Sequence, residues 1–134
     1  MIIPTTETYN EVEVLFYFHD TINGLKYLHQ NKIPHLDIKP TNLLLASDNR
    51  IKIADFGLSI IFDENFFSFY TVTGSIGFCA PELLSQNNND FKLESLYISD
   101  IWSLGLTLYC LLYGNLPWLH EDITQVINDI INNE

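Results

Sequence analysis

Residues 34–57 read PHLDIKPTNLLLASDNRIKIADFG, and the arrangement of the rest of the chain follows from them. Within this stretch Leu43–Ala46 and Ile51–Ala54 are short apolar runs joined by the polar segment Ser47-Asp48-Asn49-Arg50. That pattern predicts a β-hairpin. A hairpin returns its two ends to the same place, so Asn42 and Asp55 are expected side by side. Two oxygen donors placed together suit Mg²⁺, which takes a few protein oxygens and keeps room for water or phosphates. Asp37, on the loop just before the hairpin, is positioned to face the same site as a general base.

Upstream, Asn10 followed by Glu13 predicts a helix start with a capping box. Leu15, Phe18, Ile22, Leu25 and Leu28 then recur at helical spacing as the expected buried stripe, ending near Gln30-Asn31 before Pro34. His19 and His29 read as packing or surface residues of this helix. Downstream, Leu58–Phe69 is rich in aromatics and too apolar for a free linker. Thr71, Thr73 and Ser75 form a hydroxyl cluster around Gly74 and Gly77. Ala80–Leu84 predicts a short helix with Pro81 in its first turn, and Gln86–Asp90 an exposed polar loop. Ser99-Asp100 is expected to cap an apolar helix that runs to Tyr113 and stops at Gly114. Ile123, Val126, Ile127, Ile130 and Ile131 mark a last helix.

With 47% hydrophobic and 17% charged residues in 134, the composition supports one domain with a true core and argues against general disorder. A net charge of −11 with six Lys and Arg leaves no basic patch for nucleic acid or an anionic membrane surface. Cys79 and Cys110 stand alone without ligand spacing, as reduced thiols of a cytoplasmic protein do, the nucleus being the alternative compartment. The start MIIPTTETYNEVEV has neither the basic opening nor the long apolar run of a signal peptide. Ile101–Leu119 carries no formal charge over nineteen residues, close to a spanning length. Gly114, Asn115 and Pro117 interrupt it, leaving about a dozen helical residues after Asp100. A helix buried in protein is therefore expected, with no membrane partner.

The segments HLDIKPTNLL, DFG, APE and DIWSLG, in this order and spacing, resemble the C-terminal lobe of a eukaryotic protein kinase. Lys39-Pro40 is the serine/threonine form of the loop. The helix FYFHDTINGLKYLH and the stretch IKIADFGLS look most like the calcium/calmodulin-dependent protein kinase kinases and related activators of energy-sensing kinases. The resemblance implies an α+β, mainly α fold, a kinase large lobe with a small β-hairpin at the active site. It also implies ATP and Mg²⁺ as cofactors and a protein substrate, another kinase among the candidates.

By the same resemblance Asp37 accepts or orients the proton of the substrate hydroxyl, and Lys39 neutralises charge on the transferring phosphoryl group. Asn42 and Asp55 hold Mg²⁺, and Leu44 floors the adenine. His35 and Phe56 support the site by packing, and Asp100 anchors the catalytic loop. Ser75 contacts Asp37 and the substrate backbone. Glu82 has a structural role in the activation segment, and Thr71 stands at the usual phosphorylation position. Two departures bear on Thr71. Leu36 replaces the Arg that usually reads that phosphate, and Ile60 stands at a second position that is sometimes basic. A phosphate there lacks its charge-assisted partners.

The family's glycine-rich loop and phosphate-binding Lys have no counterpart before Asn10, nor do its last helices after Ile131. Residues 1–134 are therefore expected to form a partial kinase domain, truncated at both ends, from the catalytic loop through the helix after the central buried one. Such a chain is expected to bind nucleotide weakly and transfer phosphate poorly or not at all, and to associate through exposed apolar surface. The alternative reading is a non-catalytic, kinase-derived module that binds proteins.

Overall fold

The computed structural model describes residues 9–59, 75–85, 92–118 and 120–132. The expectations for Thr71, Ile60, the Gln86–Asp90 loop and most of the aromatic segment after Leu58 lie outside these residues.

Helix α1, Glu11–Gln30, begins as its sequence predicts. Asn10 Oδ1 accepts from the Glu13 N–H at 3.0 Å, and Glu13 Oε2 accepts from the Asn10 N–H at 3.3 Å. The reciprocal pair satisfies two backbone donors that the first helical turn leaves open. The buried face is Val14, Tyr17, Thr21, Leu25 and Leu28, with Asp20 beside it. Leu25 and Leu28 belong to the expected stripe, but Leu15 is 63% exposed and Ile22 40%. Phe18 of the same stripe is half-buried against the Leu25 and Leu28 cluster, so the correction concerns Leu15 and Ile22, whose places Val14 and Thr21 take. The reason is that Thr21 is polar only on paper. Its hydroxyl donates to the Tyr17 carbonyl at 2.7 Å, so it enters the core already satisfied.

The predicted hairpin forms. Strands β1, Leu43–Leu45, and β2, Ile51–Ile53, pair antiparallel with Leu43 opposite Ile53, Leu44 opposite Lys52 and Leu45 opposite Ile51. Asn49 takes the left-handed conformation at φ 59° that the turn requires, one that Asn tolerates better than most residues. A 3-10 turn, Pro40–Asn42, leads into β1.

Asp20 ties α1 to the hairpin. Its carboxylate is 2% exposed and receives the Arg50 guanidinium as a fork, at 2.8 Å from Nε and 2.6 Å from Nη2. It also accepts from the Ile51 N–H at 3.0 Å. The Arg50 hydrogen bond is the main reason the carboxyl lies below its usual range, against the opposing effect of burial. Gly24, one turn further along α1, allows the close approach that this pairing sets. A Cβ there would lie 2.8 Å from Ile53 Cδ1.

Helix α2, Pro81–Leu84, is the expected short helix. Helix α3 spans Leu93–Tyr113, starting six residues before the expected cap at Ser99. The early start has a physical basis, because Leu96 packs into the core at 3% exposure and holds the extra turns. Asp100 therefore sits in the body of the helix and caps a different segment. With 21 residues and a mean hydropathy of 1.3, α3 is long and apolar enough to cross a membrane, which the expected dozen residues would not be. Half of its apolar window is nevertheless buried against this chain's own elements, as in a core helix. Gly114, at φ 76°, closes it by donating to the Cys110 carbonyl at 2.8 Å. Helix α4, Ile123–Asn132, follows, with only Ile130 of its expected stripe fully buried and Ile123 56% exposed.

Two core clusters result. Val14, Tyr17, Leu43, Ile51 and Leu111 join α1, the hairpin and α3 near one end. Leu25, Leu28, Ile38 and Leu104 join α1, the loop before the hairpin and α3 near the other. The described residues are thus mainly helical with one small antiparallel sheet, which is the α+β class the sequence implies.

Replacing Asp20 with Ala leaves the buried Ile51 N–H without an acceptor and is expected to remove about 1–3 kcal/mol of stability at neutral pH, measured by urea unfolding. Because the folded carboxyl lies below its ordinary value, its contribution is full above about pH 4 and is lost as pH falls through the folded value. The difference between wild type and variant should therefore shrink with acidification. A difference independent of pH would count against this assignment.

Candidate active site

The loop between α1 and β1 is shaped by one carboxylate from α3. Asp100 is fully buried and accepts three hydrogen bonds, from the His35 N–H at 2.9 Å, the Leu36 N–H at 2.7 Å and His29 Nε2–H at 2.7 Å. Leu36 has φ 67°, a left-handed conformation that costs a residue with a Cβ roughly 1–3 kcal/mol. The bond from its amide helps hold that conformation. His29 is itself fixed by Tyr97, whose ring stacks on the imidazole at 4.2 Å and whose hydroxyl donates to the His29 carbonyl at 3.0 Å.

His35 is buried beneath the loop. Its Nε2–H donates to the Ala54 carbonyl at 3.1 Å, while its Nδ1 accepts from the Asp37 N–H at 3.3 Å. Those partners select the neutral tautomer protonated at Nε2. Burial holds the imidazole below the ordinary histidine range, outweighing the opposing pull of the Asp100, Asp37 and Asp55 carboxylates. Phe56 meets the His35 ring edge-on at 5.1 Å, and Ser59 Oγ donates to the His35 carbonyl at 3.2 Å. The segment that leaves β2 thereby rests on His35.

Above it stands a polar cluster. Asp37 Oδ2 accepts from Lys39 Nζ at 2.7 Å and from Asn42 Nδ2 at 2.9 Å. Asn42 Nδ2 also donates to the Asp37 carbonyl at 2.8 Å, so both amide hydrogens turn toward Asp37. Lys39 Nζ donates as well to Ser75 Oγ at 2.9 Å. Ser75 therefore reaches Asp37 through Lys39, which modifies the expected direct contact. Among the described residues Asp37 Oδ1 accepts no hydrogen bond, and a carboxylate held by one oxygen with the other free can take a proton from a hydroxyl placed against it.

The Ala54 N–H donates to the Asn42 carbonyl at 2.9 Å, closing the hairpin and bringing Asp55 beside Asn42 as the sequence predicts. Asp55 is exposed, has φ 61° and accepts the Gly57 N–H at 3.2 Å. Since both Asn42 amide hydrogens face Asp37, its Oδ1 is left as an oxygen donor next to a carboxylate. A hard-oxygen pair of this kind fits Mg²⁺. No group of three or more His, Cys, Asp or Glu that could hold a metal ion occurs among the described residues, so the protein would offer the ion only the Asn42 and Asp55 oxygens. Leu44 is half-buried on β1. Glu82 lies in the first turn of α2, where its charge adds to burial in raising the Cys79 thiol to about 11.

No motif in the sequence singles out His29, Tyr97, Ser59 or Trp118 for this site. Trp118 Nε1–H donates to the Gly77 carbonyl at 2.8 Å. A His next to the apolar stripe is the signal the sequence offers for His29; the others act over separations that no local pattern reveals.

The sequence profile of the family described as "protein kinase domain" matches residues 1–134. A calcium/calmodulin-dependent protein kinase kinase of Caenorhabditis elegans is 44% identical over 131 residues, 97% of this chain and 24% of the relative. A probable serine/threonine-protein kinase of Dictyostelium discoideum is 42% identical over 120 residues, 90% of this chain and 14% of the relative. The calcium/calmodulin-dependent protein kinase kinase cmkC of Emericella nidulans is 39% identical over 127 residues, 94% of this chain and 24% of the relative. The chain thus spans a quarter or less of the length of these curated relatives.

The neutral, buried His35 contributes stability that is full above about pH 6.5 and is lost as pH falls toward its lowered folded value. Proton NMR of the His35 ring is expected to show a midpoint below the ordinary histidine value, and a midpoint at or above it would contradict the assignment. Asp100→Ala, which leaves two backbone amides and the His29 N–H without an acceptor, should cost about 1–3 kcal/mol per stranded donor in urea unfolding.

Proposed function

The chain belongs to the protein kinase family, and from that premise we propose that its site transfers the terminal phosphoryl group of ATP to a serine or threonine hydroxyl of a protein. The observation that carries the proposal is the state of Asp37: one carboxylate oxygen is fixed by Lys39 and Asn42, and the other accepts no hydrogen bond among the described residues. That Oδ1 would orient the acceptor hydroxyl and take its proton as the oxygen attacks. Lys39, bridging Asp37 and Ser75, would place a cation where charge develops on the transferred group. Asn42 and Asp55 would hold Mg²⁺, and Leu44 would lie under the adenine. When bound, Mg·ATP supplies the phosphoryl group and most of its neutralising charge.

Thr71 and Glu82 belong to the activation segment in this reading. Leu36 gives a phosphate on Thr71 no guanidinium at that position, so order in the segment would come from contacts such as Lys39 with Ser75. The named relatives point to another kinase as the protein substrate.

A second reading, a kinase-derived module that binds proteins without catalysis, is favoured by one observation. Val12 is 78% exposed, Leu15 63%, Ile98 62% and Ile101 57%, more apolar surface on two helices than a solvated face usually carries.

Calorimetry with Mg·ATP and phosphate transfer to a Ser/Thr peptide separate the two. Asp37→Asn is expected to lower transfer by roughly 10²–10⁴-fold while nucleotide binding persists, whereas Asp55→Ala should weaken both. Failure of the wild-type chain to bind nucleotide at millimolar Mg·ATP would sink catalysis by this chain and leave the binding module.

A further inference from the structure

Lys39 Nζ donates to the Asp37 carboxylate and to the Ser75 hydroxyl, so the place of Ser75 bears directly on the Asp37 cluster. The segment after it is a single 3-10 turn, Ile76–Phe78, closed by the Phe78 N–H to the Ser75 carbonyl at 2.8 Å and the Cys79 N–H to the Ile76 carbonyl at 3.0 Å. So short a turn does not fix its own location.

Two external contacts do. Ser103 Oγ on α3 donates to the Phe78 carbonyl at 2.8 Å. On the other side Trp118 Nε1–H donates to the Gly77 carbonyl at 2.8 Å. Gly77 is packed so closely by the same segment that a Cβ there would lie 2.6 Å from Leu116 Cδ1. Leu116 and Trp118 follow directly on Gly114, whose left-handed backbone turns the chain out of α3. The turn after Ser75 is therefore clamped between the body of α3 and the segment that leaves its end.

We propose that Trp118 is a positioning residue for the acceptor side of the site. Its indole N–H sets the Ile76–Phe78 turn and so places the Ser75 hydroxyl against Lys39 and Asp37. This inference rests on the kinase reading for its consequence, the alignment of the acceptor hydroxyl, but the linkage itself is a property of the fold. It requires the N–H and not only the ring. A phenylalanine at this position would retain a ring beside Gly77 and lose the bond to its carbonyl.

The linkage is tested by comparing the wild-type chain of residues 1–134 with Trp118→Phe, Ser75→Ala and the double variant. A further variant carries benzothienylalanine at position 118, which keeps the bicyclic ring and lacks only the N–H. In amide-resolved NMR, loss of the N–H is expected to shift Ile76 and Gly77 and also Asp37 and Lys39, while α1 resonances stay in place. Once Ser75→Ala is present, adding Trp118→Phe should leave Asp37 and Lys39 unmoved, because the path is already cut. Unshifted Asp37 and Lys39 signals in both position-118 variants would overturn the proposal, and so would a further shift in the double variant. In peptide phosphorylation the loss of one neutral hydrogen bond is expected to raise the peptide KM roughly three- to tenfold with the KM for ATP unchanged. An equal effect on both KM values would overturn it as well. A wild-type chain that transfers no phosphate counts against the kinase reading alone, and the spectra then decide the role of Trp118.

Discussion

One buried carboxylate organises the functional half of this molecule. Asp100 receives a side chain from α1 and two consecutive amides from the following loop, so three parts of the chain meet at two oxygen atoms. A carboxylate can accept about four hydrogen bonds, and each of the three made here satisfies a donor that would otherwise be stranded inside the protein. The loop's unfavourable left-handed residue, Leu36, lies at the centre of this arrangement. The site above is built on that frame: His35 is pinned through its backbone to Asp100 and through its ring to Ala54 and Asp37.

A second carboxylate does comparable work at the hairpin. Asp20 holds Arg50 and Ile51, which fixes the turn end of the strands to α1, while Gly24 lets the other end approach the same helix. Asn42 and Asp55 are neighbours because the strands pair, and they face the Asp37 loop because α1 supports both ends of the pair. The acidic character of the chain, with a net charge of −11, thus has a structural side. Two of its carboxylates are consumed as internal acceptors and present little charge to solvent.

What could be read from the sequence was what depends on near neighbours. The capping box at Asn10 and Glu13, the hairpin and the αL stop at Gly114 each involve residues a few positions apart, and all three formed. The cluster of Asp37, Lys39 and Asn42 followed for the same reason. The α1 stripe was misplaced because a hydroxyl bonded to its own helix behaves as an apolar group, which residue type alone does not disclose. The start of α3 was misplaced because Ser99-Asp100 has the composition of a cap, while the Asp100 side chain serves another segment. Tyr97 on His29 and Trp118 on Gly77 depend on tertiary contacts between residues 68 and 41 positions apart, beyond any local pattern.

The Asp100 contacts reach back across 64, 65 and 71 residues of chain. Bonds of that span carry a loop-closure penalty before they return anything, so they form late compared with a helix turn or a hairpin. The order of folding is thereby written into the site. During synthesis α1 and the hairpin can take shape as they emerge, but the loop bearing Asp37 waits for a carboxylate made more than sixty residues later. Until then Leu36 has no reason to hold its left-handed backbone. A nascent or partly unfolded chain can therefore form the short-range contacts among Asp37, Lys39 and Asn42, but it lacks the buried carboxylate that fixes the loop bearing them.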